Sequence, residues 1–258
     1  MILWFSGTGN CLSVAQQLAD KTGDRLMSFY DAVNADLTQE NVIGMVYPTY
    51  YFNPPKAVLT LAKQLTLPKD AYVYIVIPCG AQTGNAVWAV RQILKKKGIN
   101  VAYCHKVRVP DCSAIGFGRN PNSQVWKFER FRGRVEKIAA DINARRRASH
   151  YGNWGLAGWL CALPAVEKRT LPALQPAVND GKCTGCGTCA RVCPQENISM
   201  LHAAKDGQQT AVIGDSCVQC LACVHFCPHQ AVEIARKATL RQHQYHNPAV
   251  RLKDMLRR

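Results

Sequence analysis

Two matching cysteine runs near the C-terminal end constrain this chain more than any other feature. The first is Cys183, Cys186, Cys189 and Cys193, followed by Pro194; the second is Cys217, Cys220, Cys223 and Cys227, followed by Pro228. Both obey C-x2-C-x2-C-x3-C-P, and the second repeats the first at an offset of 34 residues. Three cysteines two residues apart wrap one loop around a common centre, whereas the fourth, beyond a longer spacer, does not comfortably reach it. The proline after it has no N–H and a fixed φ, which turns the chain away from the site. Two copies are too few for a solenoid, so the runs mark an internally duplicated small domain.

Thiolates at this spacing are iron–sulfur ligands. Structural zinc needs four ligands per site, usually as two CxxC pairs, and leaves the third cysteine of each run unexplained. A disulfide framework suits a small secreted domain, but no charged n-region and apolar signal segment opens the chain. On this pattern Cys183, Cys186, Cys189 and Cys227 hold one 4Fe–4S cluster, and Cys217, Cys220, Cys223 and Cys193 the second. Short apolar runs at 198–201 and 210–213, separated by Lys205-Asp206-Gly207-Gln208, carry a hairpin signal. Another short run spans 232–235. Residues 177–236 thus resemble a two-cluster bacterial ferredoxin over its whole length. Little else there stabilises a fold, so the clusters are expected to be structural as well as redox-active.

The N-terminal end carries a second chemistry. Ile2, Leu3, Trp4 and Phe5 form an apolar run, followed by Ser6-Gly7-Thr8-Gly9-Asn10-Cys11. Leu12, Val14, Ala15 and Leu18 are then spaced as one helix face. A strand, a loop rich in glycine and hydroxyls, and a helix form a seat for phosphate. Leu12 breaks the G-x-G-x-x-G dinucleotide fingerprint, and no Gly-Lys-Ser/Thr of a P-loop follows. The loop resembles the phosphate loop of flavodoxins, with Cys11 where a last threonine is usual.

Two further strand ends fit the same scheme. The run 42–47 ends in Pro48-Thr49-Tyr50-Tyr51-Phe52-Asn53-Pro54-Pro55, which is similar to the second flavodoxin loop. That resemblance implies that Tyr50 or Tyr51 stacks on a flavin ring; the alternative is aromatic packing of a loop. The run 73–77 ends in Pro78-Cys79-Gly80-Ala81-Gln82-Thr83-Gly84-Asn85. The small residues there, Cys79, Gly80 and Gly84 with Asn85, let backbone approach a flat ring. A further apolar run, 100–109, follows a helix ending in Lys95, Lys96, Lys97 and Gly98. Five strands alternating with helices predict a doubly wound parallel α/β sheet, with ligands at the C-terminal strand ends. Val125, Phe128, Phe131, Val135, Ile138 and Ile142 predict a closing helix of about 25 residues starting near Pro121.

The chain therefore divides into a flavodoxin-like domain (1–149), a linker (150–176), an α+β two-cluster ferredoxin domain (177–236) and a basic C-terminal tail (237–258). Within the linker the uncharged stretch 154–166 is too short to span a bilayer. A buried connector is the favoured reading, with contact at a membrane surface the alternative.

The formal charge is +15, concentrated in residues 91–150, where 15 Lys/Arg face four Asp/Glu, and in 236–258. Neither segment has the aromatic–basic interleaving of a nucleic-acid groove. A solvated basic face or a docking surface for an acidic redox partner, such as a ferredoxin, are the two readings. Lys95, Lys96, Lys97 and Arg145, Arg146, Arg147 are the candidate docking residues. The other five cysteines, Cys11, Cys79, Cys104, Cys112 and Cys161, lack ligand spacing and read as buried small hydrophobes. Thirteen cysteines without a signal segment point to a reducing cytoplasm. His225 and His229 flank Cys227, close enough in sequence to tune a cluster, although surface positions are commoner for histidine.

As a whole the chain resembles a prokaryotic fusion family that joins a flavodoxin-like domain to a two-cluster ferredoxin. The resemblance implies electron transfer between two 4Fe–4S clusters and FMN, to or from a redox partner or small acceptor. No nicotinamide fingerprint is visible, which makes NAD(P)H an unexpected direct donor. The alternative is a ferredoxin-type carrier or assembly subunit whose flavodoxin-like domain binds no flavin.

Overall fold

The computed structural model describes residues 1–112, 120–124, 126–150, 163, 175–202, 209–234 and 244–256. The Asp206-Gly207 turn, Val125 and nearly all of the 150–176 connector, including Trp154, Trp159 and Cys161, lie outside them.

The apolar runs of the N-terminal half become β1 (Ile2–Trp4), β3 (Val42–Val46), β4 (Tyr72–Cys79) and β5 (Val101–Arg108). Two more strands join them, β2 (Leu26–Ser28) and β6 (Ala148–His150), so the sheet has six strands where the pattern counts five and locates four. Each added strand has three residues and none fully buried, which leaves no apolar run to recognise. All pairings are parallel, in the order β2-β1-β3-β4-β5-β6. That order is the flavodoxin-like doubly wound topology, with its switch point between β1 and β3.

Helices cover both faces, which is why the central strands are apolar throughout. In β4, Ile75 and Ile77 face one core and Val76 the other, all fully buried. Each such side chain contributes about 1.5–3 kcal/mol by leaving water. One core is closed by α2 (Phe29–Ala32), α3 (Lys56–Gln64) and α4 (Ala86–Lys96). The other is closed by α1 (Asn10–Thr22) and α5 (Lys127–Asn143). Phe131, Val135, Ile138 and Ile142 form the predicted stripe of α5, with Phe128 partly buried beside them. The helix is shorter than its periodicity implies: 17 residues, preceded by a separate 3-10 turn at Pro121–Gln124.

The cysteine-rich segment repeats one small unit twice. Each run carries a one-turn helix, α6 (Thr188–Val192) and α7 (Ala222–Phe226). Strands β8 (Ile198–His202) and β9 (Gln209–Ile213) pair antiparallel, as the hairpin signal predicts. Strand β10 (Val232–Ile234) pairs antiparallel with β7 (Pro176–Val178), a strand that no sequence pattern announces. A final turn of helix, α8 (Leu252–Met255), ends the described chain. No helix among the described residues is long and apolar enough to cross a membrane.

Sheet and cysteine unit share a core. Leu12 leaves the other apolar residues of α1 and packs with Val192, Ala222, Phe226, Val250 and Met255. One cluster thus draws on α1, both cysteine helices and the C-terminal segment.

Candidate redox site

The first loop lies at the switch point, between β1 and α1. Gly9 holds the N-cap in a left-handed conformation, φ 85°, and its N–H donates to Ser6 Oγ at 3.0 Å. The N–H groups of Gly7, Thr8, Asn10, Cys11 and Leu12 donate to no described residue. Five backbone donors at the positive end of a 13-residue helix are the donor set of a phosphate seat. The Thr8 side chain is half-exposed and its hydroxyl lies 3.6 Å from Cys112 Sγ. The loop therefore fits the phosphate of FMN.

The Cys11 side chain is the buried small hydrophobe that its lack of ligand spacing suggests, turned away from the loop. It is 2% exposed and packs in the core between α1, α5 and the sheet. Burial, then the Cys112 and Cys79 thiols nearby, hold its pKa well above the thiol range, while a hydrogen bond with Ser6 pulls the other way. Burial likewise pushes Cys79 and Cys112 up to about 11. These thiols are neutral near pH 7 and unreactive.

The second loop is a tight turn in which Tyr50 and Asn53 exchange backbone hydrogen bonds of 2.8 and 2.9 Å. Its two central residues, Tyr51 and Phe52, have φ of 51° and 61°. Asn-Gly makes such a turn cheaply; two aromatic residues hold it at roughly 1–2 kcal/mol each. What holds them is packing. Phe52 covers Gly84 of the third loop and accepts a hydrogen bond from Asn85 N at 2.5 Å. Tyr51 reaches the other way, into the core around the cysteines. Tyr50 stays half-exposed beside Pro48 and Thr49, its hydroxyl 3.5 Å from the Cys220 carbonyl. In the third loop Cys79 is buried, and the Asp111 carboxyl lies against the bare face of Gly80.

The eight motif cysteines fall into two groups. Cys183, Cys186, Cys189 and Cys227 line one cavity, closed by Met200, Ala211 and Val232. Cys193 instead lies close enough to Cys217, Cys220 and Cys223 to raise their pKa values. Burial comes first among the causes that bring Cys189 to about 11 and Cys220 to about 12. Cys186, the exposed one, is lowered by hydrogen bonds with Thr188. Iron must displace protons from the buried thiols, so loading a cluster releases them. The donor chemistry and the grouping by fours fit two cubanes. Of the flanking histidines, His229 is exposed beside the first cavity, but His225 is buried. Burial, then the neighbouring His246, lowers His225 to about 4, leaving it neutral to accept from Tyr245 N at 3.3 Å.

The two sites meet at Cys220. Its carbonyl oxygen lies where a Cβ on Gly7 would be, 2.1 Å away, so only glycine permits this approach. Val218 and Cys220 pack against the core of the sheet. Gly7→Ala is therefore expected to push the cysteine loop off the phosphate loop. Hydrogen exchange should quicken at 5–12 and 217–222 while the strands stay protected; unchanged exchange would mean that the contact is not tight.

A segment from the basic tail straps the junction. Gln244 Nε2 donates to the carbonyls of Val224 and Cys227, and His246 stacks on Phe226 with centroids 5.0 Å apart. Tyr245 Oη donates to Asn10 Oδ1 at 2.8 Å, as does Asn247 Nδ2 at 3.0 Å. Asn247 N donates to the Thr8 carbonyl, and Val250 covers Gly9. Tyr245, Val250 and Met255 are the buried residues that a reading by charge passes over.

The basic clusters are elsewhere. Lys95–Lys97 form the last turn and C-cap of α4 and Arg145–Arg147 follow the C-terminus of α5, at the end of the sheet opposite the three loops. Lys97 Nζ donates to the Leu65 carbonyl, and Arg145 lies over the Tyr72 ring and donates to the Asn41 carbonyl.

Residues 182–234 match the 4Fe-4S dicluster domain family. No curated protein sequence matches the chain. Among solved structures, an archaeal flavodoxin is similar at 12% identity and TM-score 0.36, covering 56% of this chain and 95% of that one. The Trp repressor binding protein of Bacillus subtilis is similar at 12% identity and TM-score 0.39, covering 54% and 97%. An FMN-dependent NADH-azoreductase of Bacillus anthracis, solved with FMN, is similar at 10% identity and TM-score 0.38, covering 55% and 98%. Strand order, not these distant likenesses, carries the fold assignment. The chain joins a flavodoxin-like sheet to a 4Fe–4S dicluster domain.

Proposed function

We propose that the protein relays electrons between two 4Fe–4S clusters and an FMN, to or from a redox partner or small acceptor. The observation that carries this reading is the Cys220 carbonyl seated on Gly7 and beside Tyr50. A cluster ligand, the phosphate loop and the ring loop thereby share one contact. Cys183, Cys186, Cys189 and Cys227 hold the first cluster, and Cys193, Cys217, Cys220 and Cys223 the second. Ser6 to Asn10 hold the phosphate, and Tyr50 with Pro48, Thr49 and Gly80 borders the ring. Bound FMN supplies a carrier of one or two electrons, which matches one-electron clusters to two-electron acceptors. Asn10, fixed by Tyr245 and Asn247, keeps the loop in shape. Cluster ligands lie at the end of the sheet away from the basic clusters, so those charges steer a partner from a distance rather than form the transfer face.

Thr8→Ala is expected to weaken FMN binding about five- to tenfold, roughly 1 kcal/mol, through one lost hydrogen bond to a charged phosphate. Fluorescence titration of anaerobically reconstituted protein measures it. A second reading, a flavin-free carrier or assembly subunit, is favoured by the covers over Gly9, Gly80 and Gly84. Parent protein that stays colourless at saturating FMN, with its clusters loaded, would establish that second reading.

A further inference from the structure

Tyr51 has a task that neither the fold nor the flavin site explains. Its hydroxyl is sealed from solvent and makes no hydrogen bond to any described residue. Its side chain packs against the apolar cluster of the cysteine unit, which holds Cys189, Cys223 and Cys227 with Cys183 and Cys193 at its edge. The adjacent Tyr50 ends on the Cys220 carbonyl, which sets this turn on the side of the second cysteine group. A buried hydroxyl without a partner is costly, and here an aromatic residue is also kept at positive φ. Both costs are explained if the acceptor is an atom that the polypeptide does not itself supply. The inorganic sulfides of a cubane are such acceptors.

We propose that Tyr51 donates its O–H to a sulfur of the cluster held by Cys193, Cys217, Cys220 and Cys223. A residue of the flavodoxin-like sheet then sets the potential of a cluster carried by the other unit. The inference rests on the two-cluster reading above. A donor to cluster sulfur stabilises the reduced state, which carries more negative charge, more than the oxidised state, and so raises the potential. Undocking the two units would remove the donor and lower that potential alone.

Tyr51→Phe deletes one oxygen and keeps the ring in its packing. The test is a redox titration of reconstituted full-length protein followed by electron paramagnetic resonance, with iron content measured on each sample. Proton coupling to the reduced clusters is recorded before and after exchange into heavy water. The expected result is a more negative potential for one cluster, an unmoved potential for the other, and loss of one exchangeable-proton coupling. Two loaded clusters with unmoved potentials and the coupling retained would overturn the inference and leave the two-cluster reading standing. Equal shifts of both clusters would overturn it too, since they report general loosening. A parent protein with iron and signal for a single cluster would overturn both.

Discussion

Cys193→Ala should destroy the cluster built on Cys217, Cys220 and Cys223 and spare the one built on Cys183, Cys186 and Cys189. The variant tests ligation across the duplicated runs, because Cys193 belongs by sequence to the first. Three thiolates remain at the damaged site, so a 3Fe–4S species, or loss of about four irons per chain, is the expected product. Cys189, Cys223 and Cys227 lie in the shared core of this unit, so losing one cubane should also lower its stability. Iron content and the resonance spectra of oxidised and reduced protein distinguish the cases. Loss of the first cluster with the second intact would mean that each run serves itself.

Tyr245→Ala should cost about 3–5 kcal/mol, the range for deleting a buried aromatic side chain. Tyr245 is 2% exposed and links the two units through Asn10 and His225. Its removal leaves Asn10 Oδ1 with one donor instead of two and opens a cavity between α1 and α7. Chemical denaturation of cluster-loaded protein should show the loss. Hydrogen exchange should show faster opening at residues 6–12, and FMN binding should weaken with it. Stability within 1 kcal/mol of the parent would mean that the strap is only laid on the surface.

How far the sequence speaks depends on how local each signal is. The cysteine runs are legible because the spacing of covalent ligands is itself the code. Strand β1, the loop and α1 are legible because an apolar run, hydroxyls and glycines, and a helical stripe follow without a gap. Strands β2, β6 and β7 are three residues each, and their pairing comes from neighbours rather than from their own composition. The stripe running into the 3-10 turn overstates α5, since apolar spacing does not show where hydrogen bonding changes. Cys11 lies in the core, as its reading as a buried small hydrophobe expects, whereas Tyr51 is turned to the cysteine unit by a left-handed backbone that position alone does not show. The strap is hidden by its arginines and lysines, which mask Tyr245, Val250 and Met255. A tyrosine and an asparagine, five and three residues before a valine in a charged tail, are the signal that was there to find.

An anaerobic reductive titration of the reconstituted protein, followed by absorbance and paramagnetic resonance, tests the central claim most directly. Two clusters and one FMN in contact should take up about four electrons per chain. Flavin and cluster signals should re-equilibrate faster than mixing after partial reduction, because they share the junction at Cys220. Uptake of about two electrons, with the flavin remaining in the filtrate when the loaded protein is passed through a membrane, would contradict the account.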